Sequence, residues 1–180
     1  ALTIGGKEVT QDTETLVLSG VQLYGEELDT LSTLTELTAL SLNDCGLTAV
    51  SAISGLPKLR SLSLSDNDIR DISPIKGLSE LRTLYLNGNP VESLEPLYSL
   101  SGLTTLDIRE REITDTELKA LQEKQPNCTV FSDEATVEVK DLSLGGVDFK
   151  SDVTELDLSG RGVTDISALA DCTALKSLDL

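Results

Sequence analysis

The chain of 180 residues has no histidine, no methionine and no tryptophan, and only three cysteines, five prolines and 3% aromatic residues. Each shortage removes a class of function. Without histidine there is no Ser-His-Asp or Cys-His catalysis and no imidazole ligand for a metal. Basic residues are scarce as well: 14 Lys and Arg stand against 31 Asp and Glu, a net charge of −17. Such a charge repels phosphate backbones and anionic headgroups, which argues against nucleic-acid and membrane-surface roles. No apolar run approaches the roughly 20 residues of a membrane span, so no membrane insertion is expected. With so few aromatics, aliphatic side chains must fill the interior. Leucine does so, at 34 of the 180 positions, and a bias of that size points to an internal repeat.

The segments LTALSLNDCGL, LRSLSLSDNDI, LRTLYLNGNPV and LTTLDIREREI begin at Leu37, Leu59, Leu81 and Leu103, each 22 residues after the last. One more step of 22 reaches Gln125 and places Cys128 and Val130 where Leu106 and Ile108 stood. A longer step of 24 back from Leu37 reaches Thr13 and TETLVLSGVQL, while Val153 and Leu175 open another pair 22 apart. Alternating apolar residues in each L-x-L core mark a short strand with every second side chain turned inward. Between strands the apolar residues recur at threefold spacing, as in Val50, Ile53 and Leu56 or Ile72, Ile75 and Leu78. That spacing suits tight helical turns on the outer face. Pro74 and Pro96 fall in the first turn of two such segments, where a missing N–H costs nothing. YGEELDTLSTL and TDTELKALQEK read instead as α-helix, with Glu27 and Glu117 early in each. No unit can bury both of its flanks alone, so the units must stack as a quasi-one-dimensional solenoid.

The pattern L-x-x-L-x-L-x-x-N-x-L resembles the leucine-rich repeat family, and its 22-residue form followed by D-I-S-P-I is similar to the bacterial internalin-type class. The resemblance covers nearly the whole chain. It implies an α/β fold, a right-handed solenoid of strands and α or 3-10 turns with a parallel sheet on the concave face. It also implies a non-catalytic module that binds a protein or glycan partner on that face, within a secreted or cell-surface bacterial protein. Two other readings stay open: an intracellular, cytoplasmic scaffold similar to the leucine-rich phosphatase-binding subunits, and a structural spacer. No nucleophile–base pair, phosphate loop or metal cluster is visible, so neither an enzyme nor a cofactor is expected. In this family the ninth position of each unit carries Asn, which bonds the following turn. Asn67 and Asn89 fit, Cys45 is a familiar substitute, and Val21, Arg111 and Arg161 depart, which predicts irregular turns in their repeats.

LTIGGKEVTQDTETLVLSG, from Leu2 to Gly20, aligns without gaps to LSLGGVDFKSDVTELDLSG, from Leu142 to Gly160. Gly5-Gly6 and Gly145-Gly146 read as hairpin turns that fold an edge strand over the end of a core. Residues 1–134 are therefore expected to form one capped array, and residues 135–180 the cap and first repeats of a second. Leu180 falls at the sixth position of a repeat strand, so the chain reads as a piece of a longer protein whose last edge, around Leu169, Leu175, Leu178 and Leu180, invites self-association.

Cys45, Cys128 and Cys172 are expected to lie inward in different units as free thiols. Asp66, Asp68 and Asp71 lack the glycine and terminal glutamate of a calcium loop and read as a solvated edge. Outward positions of the strands face the concave side. The fifth positions read Val17, Ser41, Ser63, Tyr85, Asp107 and Thr129, and the seventh read Ser19, Asn43, Ser65, Asn87, Arg109 and Phe131. The large side chains gather in the last three repeats. Tyr85, Asn87, Asp107, Arg109 and Phe131 are accordingly the candidate ligand-binding patch, since tyrosine, arginine and an exposed aromatic ring make a hot-spot composition. The alternative is that Arg109 pairs with Asp107 and lies on Phe131 only to cover the end of the array.

Overall fold

The structure, a computed structural model, describes residues 2–180. They divide into two compact units, Ala1–Thr136 and Val137–Leu180.

The first unit opens with an antiparallel hairpin, β1 (Leu2–Ile4) and β2 (Lys7–Val9), turned by Gly5 and Gly6. Both glycines have positive φ, 55° and 77°, as a tight two-residue turn matching the strand twist requires. Six parallel strands follow: β3 (Thr15–Ser19), β4 (Ala39–Asn43), β5 (Ser61–Ser63), β6 (Thr83–Tyr85), β7 (Thr105–Asp107) and β8 (Thr129–Phe131), paired in chain order. Helix α1 (Gly25–Ser32) connects β3 to β4, and α2 (Asp115–Lys124) connects β7 to β8. The three middle connections are 3-10 turns, Ser51–Ile53, Ser73–Gly77 and Glu95–Ser99. The parallel sheet with its 3-10 connections is that of a leucine-rich repeat solenoid.

Strand residues at positions four and six, from Leu16 and Leu18 through Leu106 and Ile108, are all buried, and the apolar residues of the 3-10 turns meet them to form one continuous core. The hairpin closes one end of it with Ile4 and Val9. Glu27 holds the hairpin to α1: its carboxylate accepts from Gly5 N at 2.8 Å and from Tyr24 N at 3.2 Å.

Unit length follows the kind of helix. An α-helix advances about 1.5 Å per residue and a 3-10 helix about 2.0 Å, so an α-helical connection needs more residues to span the same outer face. Thr15 accordingly pairs with Ala39, 24 residues on, whereas Ala39 pairs with Ser61, 22 on. The same rule corrects the last register. Thr105 pairs with Thr129 and Asp107 with Phe131, again 24 on, because α2 lengthens that unit. Phe131 is therefore in backbone register with Asp107 and not with Arg109, and Cys128 precedes the strand, half-buried, rather than filling an inward strand position.

The eighth position of every regular repeat takes a left-handed backbone: Gly20, Asp44, Asp66, Gly88, Glu110 and, in the second unit, Gly160. Arg111 thus follows the same turn as Asn67 and Asn89, against the expectation of irregularity, whereas the turn at Arg161 departs as expected, with Gly162 also left-handed and Arg161 N donating to Leu158 O at 3.2 Å. Asn67 shows how that turn is held. Its Oδ1 accepts from Cys45 N and Leu47 N at 3.0 Å, and its Nδ2 donates to Leu42 O and Leu64 O at 2.8 and 2.9 Å. One amide thereby ties a repeat to its predecessor.

The second unit has its own hairpin, β9 (Asp141–Leu144) and β10 (Val147–Lys150), turned by Gly145 and Gly146, and two parallel strands, β11 (Glu155–Asp157) and β12 (Ser177–Asp179). A 3-10 turn at Ser167–Asp171 joins those strands. Leu156, Leu158 and Cys172 are buried there, Leu169, Leu175 and Leu178 are half-buried and Leu180 is exposed.

All three cysteines are free thiols. Burial pushes the Cys45 thiol up from its ordinary value, with Asp44 adding to the rise, and burial alone pushes up Cys128. Because the thiolate is the nucleophile, native protein treated with a bulky thiol reagent should label Cys128 first. Cys45 and Cys172 should react only as the fold opens. Mass mapping of the labelled peptides checks the order, and labelling of Cys45 ahead of Cys128 contradicts the burial found here.

Candidate functional site

Every strand of the first unit presents its third, fifth and seventh residues on the open face of the sheet. With the corrected register the seventh-position column ends in Asp133 and the fifth in Phe131. Sequence reasoning missed Asp133. The 24-residue step across α1 was the signal that the step across α2 would be equally long.

The middle of this face satisfies itself. Asn43 Oδ1 accepts from Ser63 Oγ at 2.7 Å and from Ser65 N at 3.0 Å, and Asn87 Oδ1 accepts from Ser65 Oγ at 2.8 Å. These short side chains are tied to one another and project little. Asn87, one of the candidate residues, is half-buried within that network.

The last three strands differ. Asp107 is only 3% exposed, and a buried carboxylate must be paired to stay charged. Arg109 pairs it. Nε donates to Oδ1 at 3.0 Å, Nη2 to Oδ2 at 2.6 Å, and the Arg109 backbone N–H to Oδ1 at 3.0 Å. Burial alone would raise the Asp107 carboxyl, but these Arg109 contacts outweigh it and hold it below the usual carboxylate range. The guanidinium, half exposed, stands 5.8 Å from the centroid of the Phe131 ring, within cation–π range. Tyr85, on the neighbouring strand, is 36% exposed, and Phe131 is 45% exposed. The structure therefore brings Tyr85, Asp107, Arg109 and Phe131 together, with Asn87 joining them from the serine network.

The acidic segment near Asp71 is built differently. Asp71 Oδ1 accepts from Ser73 N, the first residue of the 3-10 turn, at 2.8 Å, a bond that lowers its carboxyl pKa. Among the described residues no group of three or more His, Cys, Asp or Glu is placed to hold a metal ion. No helix among them is long and apolar enough to cross a membrane.

Comparison with known proteins bears on the repeat. Residues 35–91 match a family model described as leucine rich repeat, and residues 79–121 one described as leucine rich repeats in two copies. No curated protein matches the sequence. Among solved structures, an internalin (inlF) from Listeria monocytogenes is similar at 26% identity and a TM-score of 0.63, over 96% of this chain and 50% of that one. Internalin C2 from the same organism is similar at 27% identity and a TM-score of 0.52, over 83% of this chain and 55% of that one. The leucine-rich repeat ectodomain of the receptor kinase SOBIR1 from Arabidopsis thaliana, at 22% identity and a TM-score of 0.51 over 68% and 70%, shares the fold alone. The chain spans about half the length of the two internalins it matches. Over residues 35–121 it carries leucine-rich repeats, and its solenoid is similar to those of the two internalins.

Proposed function

We propose that the chain is a non-catalytic binding module of a secreted or wall-attached bacterial protein, and that it holds a protein partner on its concave face at Tyr85, Asn87, Asp107, Arg109 and Phe131. The observation that carries this reading is the exposure of Tyr85 and Phe131 around a guanidinium already fixed by Asp107. Two exposed rings and a pre-oriented arginine form a compact cluster of the side chains that dominate binding energy at interfaces, with little rotamer freedom left to lose. The likeness to the internalins supports the bacterial setting. We infer further that residues 1–134 make one array and that residues 135–180 begin a second. The Gly-Gly hairpin β9–β10 and the 22-residue step from Glu155 to Ser177 support that division.

Panning the immobilised chain against displayed peptides and a glycan array supplies ligands for the test. For a true concave-face ligand, Tyr85→Ala and Arg109→Ala should each weaken binding by at least about 1 kcal/mol, roughly fivefold. Ser41→Ala and Ser63→Ala should leave it within about twofold. Equal losses from all four variants, or none from the first pair, remove the patch from the reading. Ligands drawn only from the glycan array identify a sugar partner in place of a protein.

A further inference from the structure

Resting on the concave-face reading, we propose that the partner segment seated there is a cationic, extended stretch of polypeptide. Its apolar side chains would lie on Tyr85 and Phe131 and its lysines or arginines along the carboxylates of Asp44, Asp66, Glu110 and Asp133.

The first step concerns Arg109. Both oxygens of Asp107 are taken by this guanidinium and its own backbone N–H, so the one cation of the patch is neutralised by its neighbour. With its charge already answered by Asp107, it offers a second carboxylate, sulfate or phosphate a weaker attraction than a free guanidinium would.

The second step concerns the row beside it. The ladder of the sheet continues into the eighth-position turn: Asp44 N donates to Ser65 O at 3.0 Å, Asp66 N to Asn87 O at 2.9 Å and Gly88 N to Arg109 O at 3.1 Å. Residues at that position are therefore stacked at about the 4.8 Å spacing of strands. Three of them are Asp44, Asp66 and Glu110, all exposed. Glycine at position 88 leaves room for the Asp66 carboxylate, whose Oδ1 lies where a Cβ would clash with it. Asp133, at the seventh position of the last repeat, brings a fourth carboxylate beside the row, its Oδ2 accepting from Glu110 N at 2.8 Å. None of these four carboxylates joins the ion pairs formed among the described residues.

The third step is that this acidity is local. At the opposite end of the strands Lys58 pairs with Glu36 at 2.5 Å, and Arg60 and Arg82 stand in the same edge as Glu14 and Glu80. That edge is balanced, whereas the rim beside the aromatic patch carries Asp44, Asp66, Glu110 and Asp133 between glycines, with Arg109, already bound to Asp107, as the cation that feels Glu110 and Asp133. Side-by-side carboxylates repel one another, and a line of ammonium or guanidinium groups relieves the repulsion. The protein already seats one cation on Phe131, through Arg109. An anionic chain would meet the row face on.

The test uses the whole chain and three labelled peptides of equal length, alternating tyrosine with lysine, glutamine or glutamate, read by fluorescence anisotropy at low and moderate salt. The lysine peptide should bind at least about tenfold tighter than the glutamine peptide, and the glutamate peptide should not bind. Asp66→Asn with Glu110→Gln, and separately Asp133→Asn, should each weaken the lysine peptide about fivefold and flatten its salt dependence. Asp133→Asn keeps an acceptor oxygen for Glu110 N, which guards the turn. Glu36→Gln with Glu80→Gln, on the opposite edge, should change nothing. Equal losses from that control pair mean diffuse attraction to an acidic protein and overturn the proposal, as does a failure of the lysine peptide to bind. Equal binding of the lysine and glutamine peptides, still abolished by Tyr85→Ala and Phe131→Ala, overturns the cationic partner while leaving the concave-face reading intact.

Discussion

Replacing Asn89 with alanine should cost about 3 kcal/mol of stability, more than any substitution on the sheet's open face. The side chain is fully buried. Its Oδ1 accepts from Ile69 N at 3.1 Å and its Nδ2 donates to Leu64 O at 2.8 Å and Leu86 O at 3.1 Å. Alanine strips all three backbone groups of their partner and offers nothing in return. Each buried group left unsatisfied costs about 1–3 kcal/mol, and relaxation recovers part of the sum. The loss spreads across a boundary, because Leu64 and Ile69 belong to the repeat before Asn89. In a solenoid such interface terms hold the units together. Asn67→Ala removes an equivalent amide, but that side chain is only half-buried, so water replaces some of its bonds and the cost should be about 2 kcal/mol. Urea titrations followed by far-UV circular dichroism measure both. A loss below about 1 kcal/mol at Asn89, or a larger loss at Asn67 than at Asn89, contradicts the ladder as the tie between repeats.

The 22-residue period, the inward faces and the kind of each connection were legible in the sequence, because all three follow from where apolar residues recur. The register of β8 was not. Cys128 and Val130 offer apolar side chains two residues apart, and a shift of two preserves which residues point in and which point out. Only the length of α2 decides between the registers, and helix ends are the least certain feature of a sequence. For the same reason Phe131 falls on the expected face and against Arg109 but in register with Asp107, and Asp133 was overlooked. The left-handed turn at position eight was half legible. Gly20 and Gly88 announce it, and aspartate tolerates it at Asp44 and Asp66, but nothing about Glu110 signals a φ of 59°. In the patch, alternation alone identified Tyr85, Asp107, Arg109 and Phe131 as outward-facing. That Asp107 is nevertheless buried under Arg109 depends on side-chain geometry, which alternation does not specify.

Arg111→Ala should likewise cost about 3 kcal/mol, and the reason corrects the view of this residue as a defect in the asparagine column. Arginine replaces the amide with a different set of bonds. Its Nε donates to Val91 O at 2.5 Å and Nη1 to Glu112 O at 3.0 Å, while Nη1 and Nη2 grip the Glu117 carboxylate at 2.9 and 2.6 Å. The side chains are 10% and 26% exposed, so water screens the pair weakly. Glu117 stands in the first turn of α2, whose N-terminal Thr114 accepts from Glu117 N at 3.1 Å. The arginine therefore bonds the preceding repeat through Val91 and the following helix through Glu117. Removing one partner of such a pair leaves an uncompensated charge, at about 3–5 kcal/mol for full burial and less here, where Glu117 retains some water. Arg111→Asn restores the residue seen at Asn67 and Asn89, yet it should still cost about 2 kcal/mol, because a short amide cannot reach Glu117 and leaves that carboxylate unpaired. A double-mutant cycle with Glu117→Gln separates the two roles. A coupling of more than about 1 kcal/mol between Arg111→Ala and Glu117→Gln is expected for a bidentate pair this sheltered. If Arg111→Asn proves as stable as the parent chain, position 111 needs only an amide, and the link to α2 contributes nothing to holding the last repeat in place.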